Sequence, residues 1–220
     1  IKAKIMRKYI AILTSLILVS ISSAKAEGVV GITGAYHMFD ASGTETIRSS
    51  AEKNTGSHSD EVIVPELFIE GSGSDLVLGL SFIPTRDVGS KSRTDTGDES
   101  AGTYTAKAEL DNVFQLYADY TFASVPQGDV YLKLGIQHAT LKTLESLNSG
   151  STYPDEDLLG YTLGLGVKGD LPMGDGLIYK ADLTYTDFEG YTADAEDGNG
   201  NSVDAELEDV ALKFSIGKKF

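Results

Sequence analysis

The chain contains no cysteine. That removes disulfide frameworks and thiolate metal sites alike, and the redox compartment cannot be read from cysteine pairing. Only three histidines occur in 220 residues, so a histidine-based catalyst would have to use His37, His58 or His138. Basic residues are scarce, with 18 Lys and Arg against 33 Asp and Glu. This balance disfavours a nucleic-acid partner, because phosphate binding relies on Lys and Arg. After the first 26 residues no stretch reaches 18 consecutive apolar residues, so membrane-spanning helices are excluded there.

What is present suits an ordered protein: 41% of residues are hydrophobic and 9% aromatic, and the length fits one domain of moderate size or two small ones. At the N-terminus Lys2, Lys4, Arg7 and Lys8 precede an apolar run from Ile10 to Ile21, followed by Ala24-Lys25-Ala26. These are the three regions of a cleaved secretory signal, and the run is too short for a transmembrane helix. Met6 offers a start codon, residues 1–26 form the expected signal, and the mature chain begins at Glu27. Its 13 basic and 33 acidic residues give a formal charge of −20.

From Glu27 onward about ten residues of alternating polarity recur between turn residues, at 29–39, 61–71, 75–84, 112–122, 129–141, 159–171, 177–188 and 212–220. In the fourth stretch Phe114, Leu116, Ala118, Tyr120 and Phe122 oppose Gln115, Tyr117, Asp119 and Thr121; in the last, Leu212, Phe214, Ile216 and Phe220 oppose Lys213, Ser215 and Gly217. The gaps alternate in length. Long polar ones at 40–60, 85–102, 142–157 and 189–206 alternate with short turns at 71–74, 123–128 and 172–176. Eight strands with long loops at one end and tight turns at the other are the pattern of a transmembrane β-barrel, apolar face to lipid and polar face inward. A soluble up-and-down barrel also alternates, with the faces exchanged. Two features favour the membrane reading. Small residues such as Gly135, Gly160, Gly164, Gly166 and Gly217 occupy the polar face. Aromatic residues cluster at the strand ends, Tyr120, Phe122, Tyr179 and Phe220 at one and Tyr36, Phe82, Phe114, Tyr161 and Tyr185 at the other, as two interfacial girdles.

The signal, the eight alternating strands and the terminal Phe220 resemble the small eight-stranded outer-membrane barrels, such as the OmpA transmembrane domain and the OmpX/Ail group, over residues 27–220. The resemblance implies location in the outer membrane and partners in its lipid and lipopolysaccharide, periplasmic chaperones and the barrel-assembly machinery. It also implies a monomer without cofactor or metal. Phe214, Ile216 and Phe220 are similar to the C-terminal signal that this machinery reads. Lys218 departs from it, and a lysine there can snorkel to the headgroups. No cell-wall-binding domain follows Phe220, so no peptidoglycan tether is expected.

A barrel of eight strands is wide enough only for its own side chains. Glu66, Glu70, Asp119, Asp182 and Asp209 point inward with Lys133, Lys168, Lys180 and Lys213, as an internal ion-pair network requires. If Gly174-Asp175-Gly176 forms a three-residue hairpin loop, Lys168 falls opposite Asp182 and Asp170 opposite Lys180; a turn near Val125 and Pro126 sets Asp119 against Lys133. His138 with Thr140 matches two residues of a lipid-deacylase site, but no acid on the same face is assignable. Asp197, Asn199, Asn201 and Glu208 have calcium-loop spacing, yet Ser202 stands where glycine belongs, and Asn-Gly and Asp-Gly pairs equally mark a loop tip. The alternation of the fourth stretch continues backward in phase through Tyr104, Ala106, Ala108 and Leu110. This predicts a strand of about 20 residues, whose surplus over the 9–11 that cross a membrane would stand clear as an exposed edge. The expected role is non-catalytic: envelope integrity, or binding of an extracellular ligand through acidic loops. A narrow pore and a lipid-modifying enzyme are the alternatives.

Overall fold

A computed structural model of the chain describes residues 27–73, 75–95, 102–144 and 150–220. The expected signal at 1–26 lies outside them. Ten strands follow in order: β1 (Glu27–Ile47), β2 (Glu52–Ser72), β3 (Leu76–Ile83), β4 (Arg86–Asp95), β5 (Gly102–Val125), β6 (Gly128–Thr143), β7 (Glu156–Asp170), β8 (Leu177–Phe188), β9 (Tyr191–Asp194) and β10 (Ser202–Lys219). They make eight staves, because β3 and β4 both pair with β5 across a break at Pro84 and Thr85, and β8 and β9 both pair with β10 across a break at Glu189 and Gly190. Every pairing is antiparallel, and β1 meets β10 from Val29↔Lys219 to Thr46↔Ser202, which closes the sheet into a ring. Each of the eight alternating stretches falls on its own stave, within a residue at its ends.

The faces are those of a membrane barrel. Ile63, Leu67, Tyr120, Leu163, Leu183 and Phe214 point outward and are more than half exposed, whereas Glu66, Glu70, Asp119, Lys133, Lys180 and Asp182 are buried inside. A soluble barrel would need the reverse. All nine girdle aromatics lie on the outer face. Phe220 is 69% exposed, and its backbone completes the ring by exchanging hydrogen bonds with Gly28.

The gap at 40–60 is mostly ladder, since β1 and β2 stay paired up to Ile47↔Glu52. β4 and β5 likewise pair up to Asp95↔Gly102. Polar alternation suffices outside the membrane, where Thr44 bonds Thr55 at 3.0 Å and Ser92 bonds Thr105 at 2.8 Å across the strands.

β5 spans 24 residues, as long as the backward alternation implied, but its phase is broken. Asn112 adopts a left-handed conformation (φ 51°) in a bulge where the register jumps from Asp111↔Thr140 to Phe114↔His138. The extra residue turns Leu110 inward together with Val113, both fully buried, while Phe114 faces out. The surplus is also paired with β4 rather than bare.

Inside, bulky rings lie over glycines. A Cβ on Gly79 would meet the Tyr117 ring at 2.2 Å, one on Gly166 the Tyr131 ring at 2.4 Å, and one on Gly31 the Phe68 ring at 2.4 Å. The small inward residues therefore receive side chains from neighbouring strands. Toward the long-loop end the lumen becomes apolar, filled by Phe39, Val64, Ile83, Val88, Leu110, Val113, Ala139, Leu158 and Phe188. Gly166→Val should destabilise the barrel by about 1–3 kcal/mol through overpacking. Gly34→Val, on the outer face with nothing near a new Cβ, should change stability by less than about 0.5 kcal/mol. Urea unfolding in lipid vesicles would separate the two.

Candidate functional site

The charges that alternation turns inward converge in two layers. In the layer nearer the short turns, Lys180 Nζ lies 2.8 Å from Asp119 Oδ2 and also bonds Glu70, while Lys133 Nζ lies 3.1 Å from Asp119 Oδ1 and 3.5 Å from Asp182. Tyr117 donates to Glu70 at 2.7 Å and Tyr131 to Asp182 at 2.6 Å. Their rings also face the cations: Lys133 sits 3.8 Å from the Tyr117 centroid, and Lys180 sits 5.3 Å from both tyrosine centroids. In the second layer Lys213 reaches Glu66 at 2.7 Å, and His37 stands between Glu66 (3.3 Å) and Asp209 (2.8 Å). Between and beside these layers Gln115, Gln137, Thr162 and Thr186 form a hydrogen-bonded cluster. Among these charged and polar side chains lies a cavity of about 20 Å³, room for one water.

Asp119 and Lys133 are register partners, as the turn near Val125 and Pro126 implied. The other hairpin is offset by two residues. Its turn runs from Leu171 to Gly176, closed by Leu171 N–H to the Leu177 carbonyl at 2.8 Å, with Gly176 left-handed (φ 72°). Lys168 therefore opposes Lys180, and Asp170 opposes Ile178. An offset of two keeps every side chain on its expected face but changes its partner. Asp170 does not join the interior network: it is exposed at the short-turn rim and bonds Lys219 at 2.9 Å. Lys168 faces inward half-buried, 5.7 Å from the Tyr131 ring, with no carboxylate in ion-pair contact among the described residues. Lys218 is exposed and bonds the Asp175 carbonyl, as a snorkelling lysine does.

Sequence reasoning missed two basic residues and one acid. His37 belongs to the network, signalled only by its inward parity. Arg86 is 3% exposed over the Phe39 ring, 5.3 Å from its centroid. It stood in a segment read as loop. Asp157 is the acid beside His138 and Thr140, and it comes from β7 by register. Thr140 donates to Asp157 at 2.8 Å, and His138 Nε2 lies 3.7 Å from the same oxygen. The acid holds the hydroxyl, so the nucleophile-to-base hydrogen bond of a catalytic set is not formed.

In the last loop Asn199 and Asn201 both donate to Ser151 (3.0 and 2.9 Å), Asn199 also donates to Asp197 at 2.8 Å, and Asn201 Oδ1 accepts from Arg48 N–H. Glu208 lies on the outer face of β10, in register with Asp40. These oxygens tie loops together, and among the described residues no group of three or more His, Asp or Glu could hold a metal ion. Outside the membrane belt Lys142 hydrogen-bonds Asp111 at 2.6 Å and holds its carboxyl below the usual carboxylate range.

A closed ring of eight staves, apolar outside and ion-paired within, is the architecture of outer-membrane β-barrels. No protein-family model matches the chain, and no curated protein matches it. Solved structures do. The outer membrane protein AlkL, determined in lipid bilayers, matches with a TM-score of 0.50 and 11% identity, over 89% of this chain and 90% of that one. The neisserial surface protein NspA matches with a TM-score of 0.42 and 14% identity, over 86% and 99%. Ail of Yersinia pestis matches with a TM-score of 0.37 and 13% identity, over 85% and 99%. At these identities the likeness is one of fold.

Removing Lys180 leaves Glu70 and Asp119 short of a desolvated partner. Lys180→Met should therefore cost about 3–5 kcal/mol, whereas Lys168→Met should change stability by less than about 0.5 kcal/mol. Equilibrium unfolding of the folded barrels tests both.

Proposed function

We infer that this chain is a monomeric, non-catalytic β-barrel of the outer membrane that contributes to envelope integrity or to surface interaction through its acidic extracellular ribbons. The observation that carries the reading is the combination of an outward apolar belt with a closed lumen. Two charged layers and an apolar cluster occupy the interior, and the cavity among the charged side chains holds about one water. A conduction path would have to break several desolvated ion pairs at once, so the pore reading is weaker. The enzyme reading is weaker too, because Thr140 is bonded to Asp157 and not to His138. Outer-membrane lipid and lipopolysaccharide are the proposed surroundings. Phe214, Ile216 and Phe220, in a row on the lipid side of the closing strand, are the proposed signal to periplasmic chaperones and the barrel-assembly machinery.

The extended ribbons carry the surface role. β1–β2 and β4–β5 continue as paired strands beyond the belt, with Asp40, Glu52 and Asp87 exposed on them. Such a surface favours a cationic extracellular ligand. Residues 27–220 refolded in detergent should migrate differently on a denaturing gel before and after boiling, and should show no stepwise conductance in planar bilayers. Migration unchanged by boiling would sink the membrane-barrel reading, and regular conductance steps would replace the interaction role with a pore.

A further inference from the structure

The wall has a stretch that is not laced by backbone hydrogen bonds. β2 pairs with β1 along its whole length but with β3 only from Leu67↔Phe82 to Ser72↔Val77, and β4 pairs with β5 alone. Beyond Leu67 on one side and Phe82 on the other, the edges of β2 and β4 therefore face each other without a ladder. The sequence builds this in, because Pro65 and Pro84, which lack an N–H, stand at the foot of the seam. Side chains seal it instead: a Cβ on Gly89 of β4 would lie 2.8 Å from the His58 ring of β2.

The β4–β5 ribbon changes course at the level of this foot on both its strands. β3 stops at Ile83, opposite Val113, and β4 resumes at Arg86, opposite Leu110; between them lie the Pro84-Thr85 break and the Asn112 bulge. Arg86, the first residue beyond the break, is buried, yet none of its three guanidinium nitrogens has a hydrogen-bond partner among the described residues. Glu66 is in contact with Lys213 and His37, and Asp209 with His37. What holds Arg86 is the Phe39 ring and the more distant charges of Asp209 and Glu66. A buried guanidinium without acceptors is a weak fastening. At its foot the seam is apolar on both sides, with Ile63 and the flanking Leu67, Phe82 and Phe114 exposed outside and Phe39, Val64, Val88 and Leu110 buried inside; farther up, Glu61, Ser59 and Asp87 face out.

We propose that the seam between β2 and β4 is a lateral portal, in which the β4–β5 ribbon swings on this hinge, Arg86 is the latch, and the apolar upper lumen opens to the bilayer. The entrant it fits is an uncharged, hydrocarbon-like molecule dissolved in the outer leaflet. Such a molecule loses no hydration in crossing an apolar seam, and the charged layers below bar ions. This rests on the membrane-barrel reading.

The absence of cysteine makes the test direct. Val88→Cys is placed in the full-length chain, in isolated outer membranes, and exposed to a bilayer-soluble pyrene maleimide or to a sulfonated, membrane-impermeant maleimide. Slow labelling by the bilayer-soluble reagent is expected, rising at least tenfold when Arg86→Gln is added, with the heat-dependent gel shift retained. If Arg86→Gln abolishes that shift, Phe39→Leu takes its place, since it removes the ring under the guanidinium while keeping most of its bulk; the same rise is expected. Protection of the introduced thiol in all backgrounds, equal rates with and without the latch, or labelling by the sulfonated reagent alone would overturn the portal. Loss of the gel shift from the Val88→Cys parent itself would instead count against the membrane barrel on which the portal rests.

Discussion

The ladder between β1 and β10 is the contact on which the rest of this structure depends. Hydrocarbon offers no hydrogen bonds, so an open sheet in a bilayer would leave two rows of N–H and C=O groups unsatisfied at several kcal/mol each. Pairing Val29 with Lys219 and continuing to Thr46 and Ser202 joins the first and last strands, while the edges of β2 and β4 above Leu67 and Phe82 stay without a ladder. The chain ends within one residue of that ladder, and Phe220 is tied by its backbone to Gly28. Closure also defines an inside.

Once there is an inside, its chemistry is constrained. Glu66, Glu70, Asp119, Asp182 and Asp209 are buried and cannot reach solvent, so each needs a cation or a hydrogen-bond donor in contact. Lys133, Lys180, Lys213, His37 and the two tyrosine hydroxyls supply these contacts. The glycines that leave room for Tyr117 and Tyr131 belong to the same solution, because rings lying over Gly79 and Gly166 place their hydroxyls on the carboxylates. The outward face needs only apolar bulk and interfacial aromatics.

Period-two alternation made the staves, their faces and the aromatic girdles legible in the sequence. It also showed which charges turn inward, since parity survives any two-residue offset. Register was not legible where turn geometry decides it. The Leu171–Gly176 turn exchanged the partners of Lys168 and Asp170 without changing either strand. The Asn112 bulge reversed the phase that the backward alternation carried to Leu110, because a single left-handed residue leaves no periodic trace. Arg86 and Phe39 lie in or beside segments rich in turn residues, and they become interior only because the ribbons stay paired above the membrane belt. Asp157 meets Thr140 through the ladder between β6 and β7, a contact that spacing within one strand cannot reveal.

The central claim is a closed ring, and one cross-link tests it most directly. Thr33 and Ser215 are register partners whose hydroxyls lie 2.7 Å apart inside the barrel, 182 residues apart in sequence. In a chain without other cysteines, Thr33→Cys with Ser215→Cys should form a disulfide in the membrane-embedded protein, giving a covalently closed band of altered mobility that reverts on reduction. Free thiols at both positions in a folded, monodisperse protein would contradict the account, since strands one and ten would then not meet.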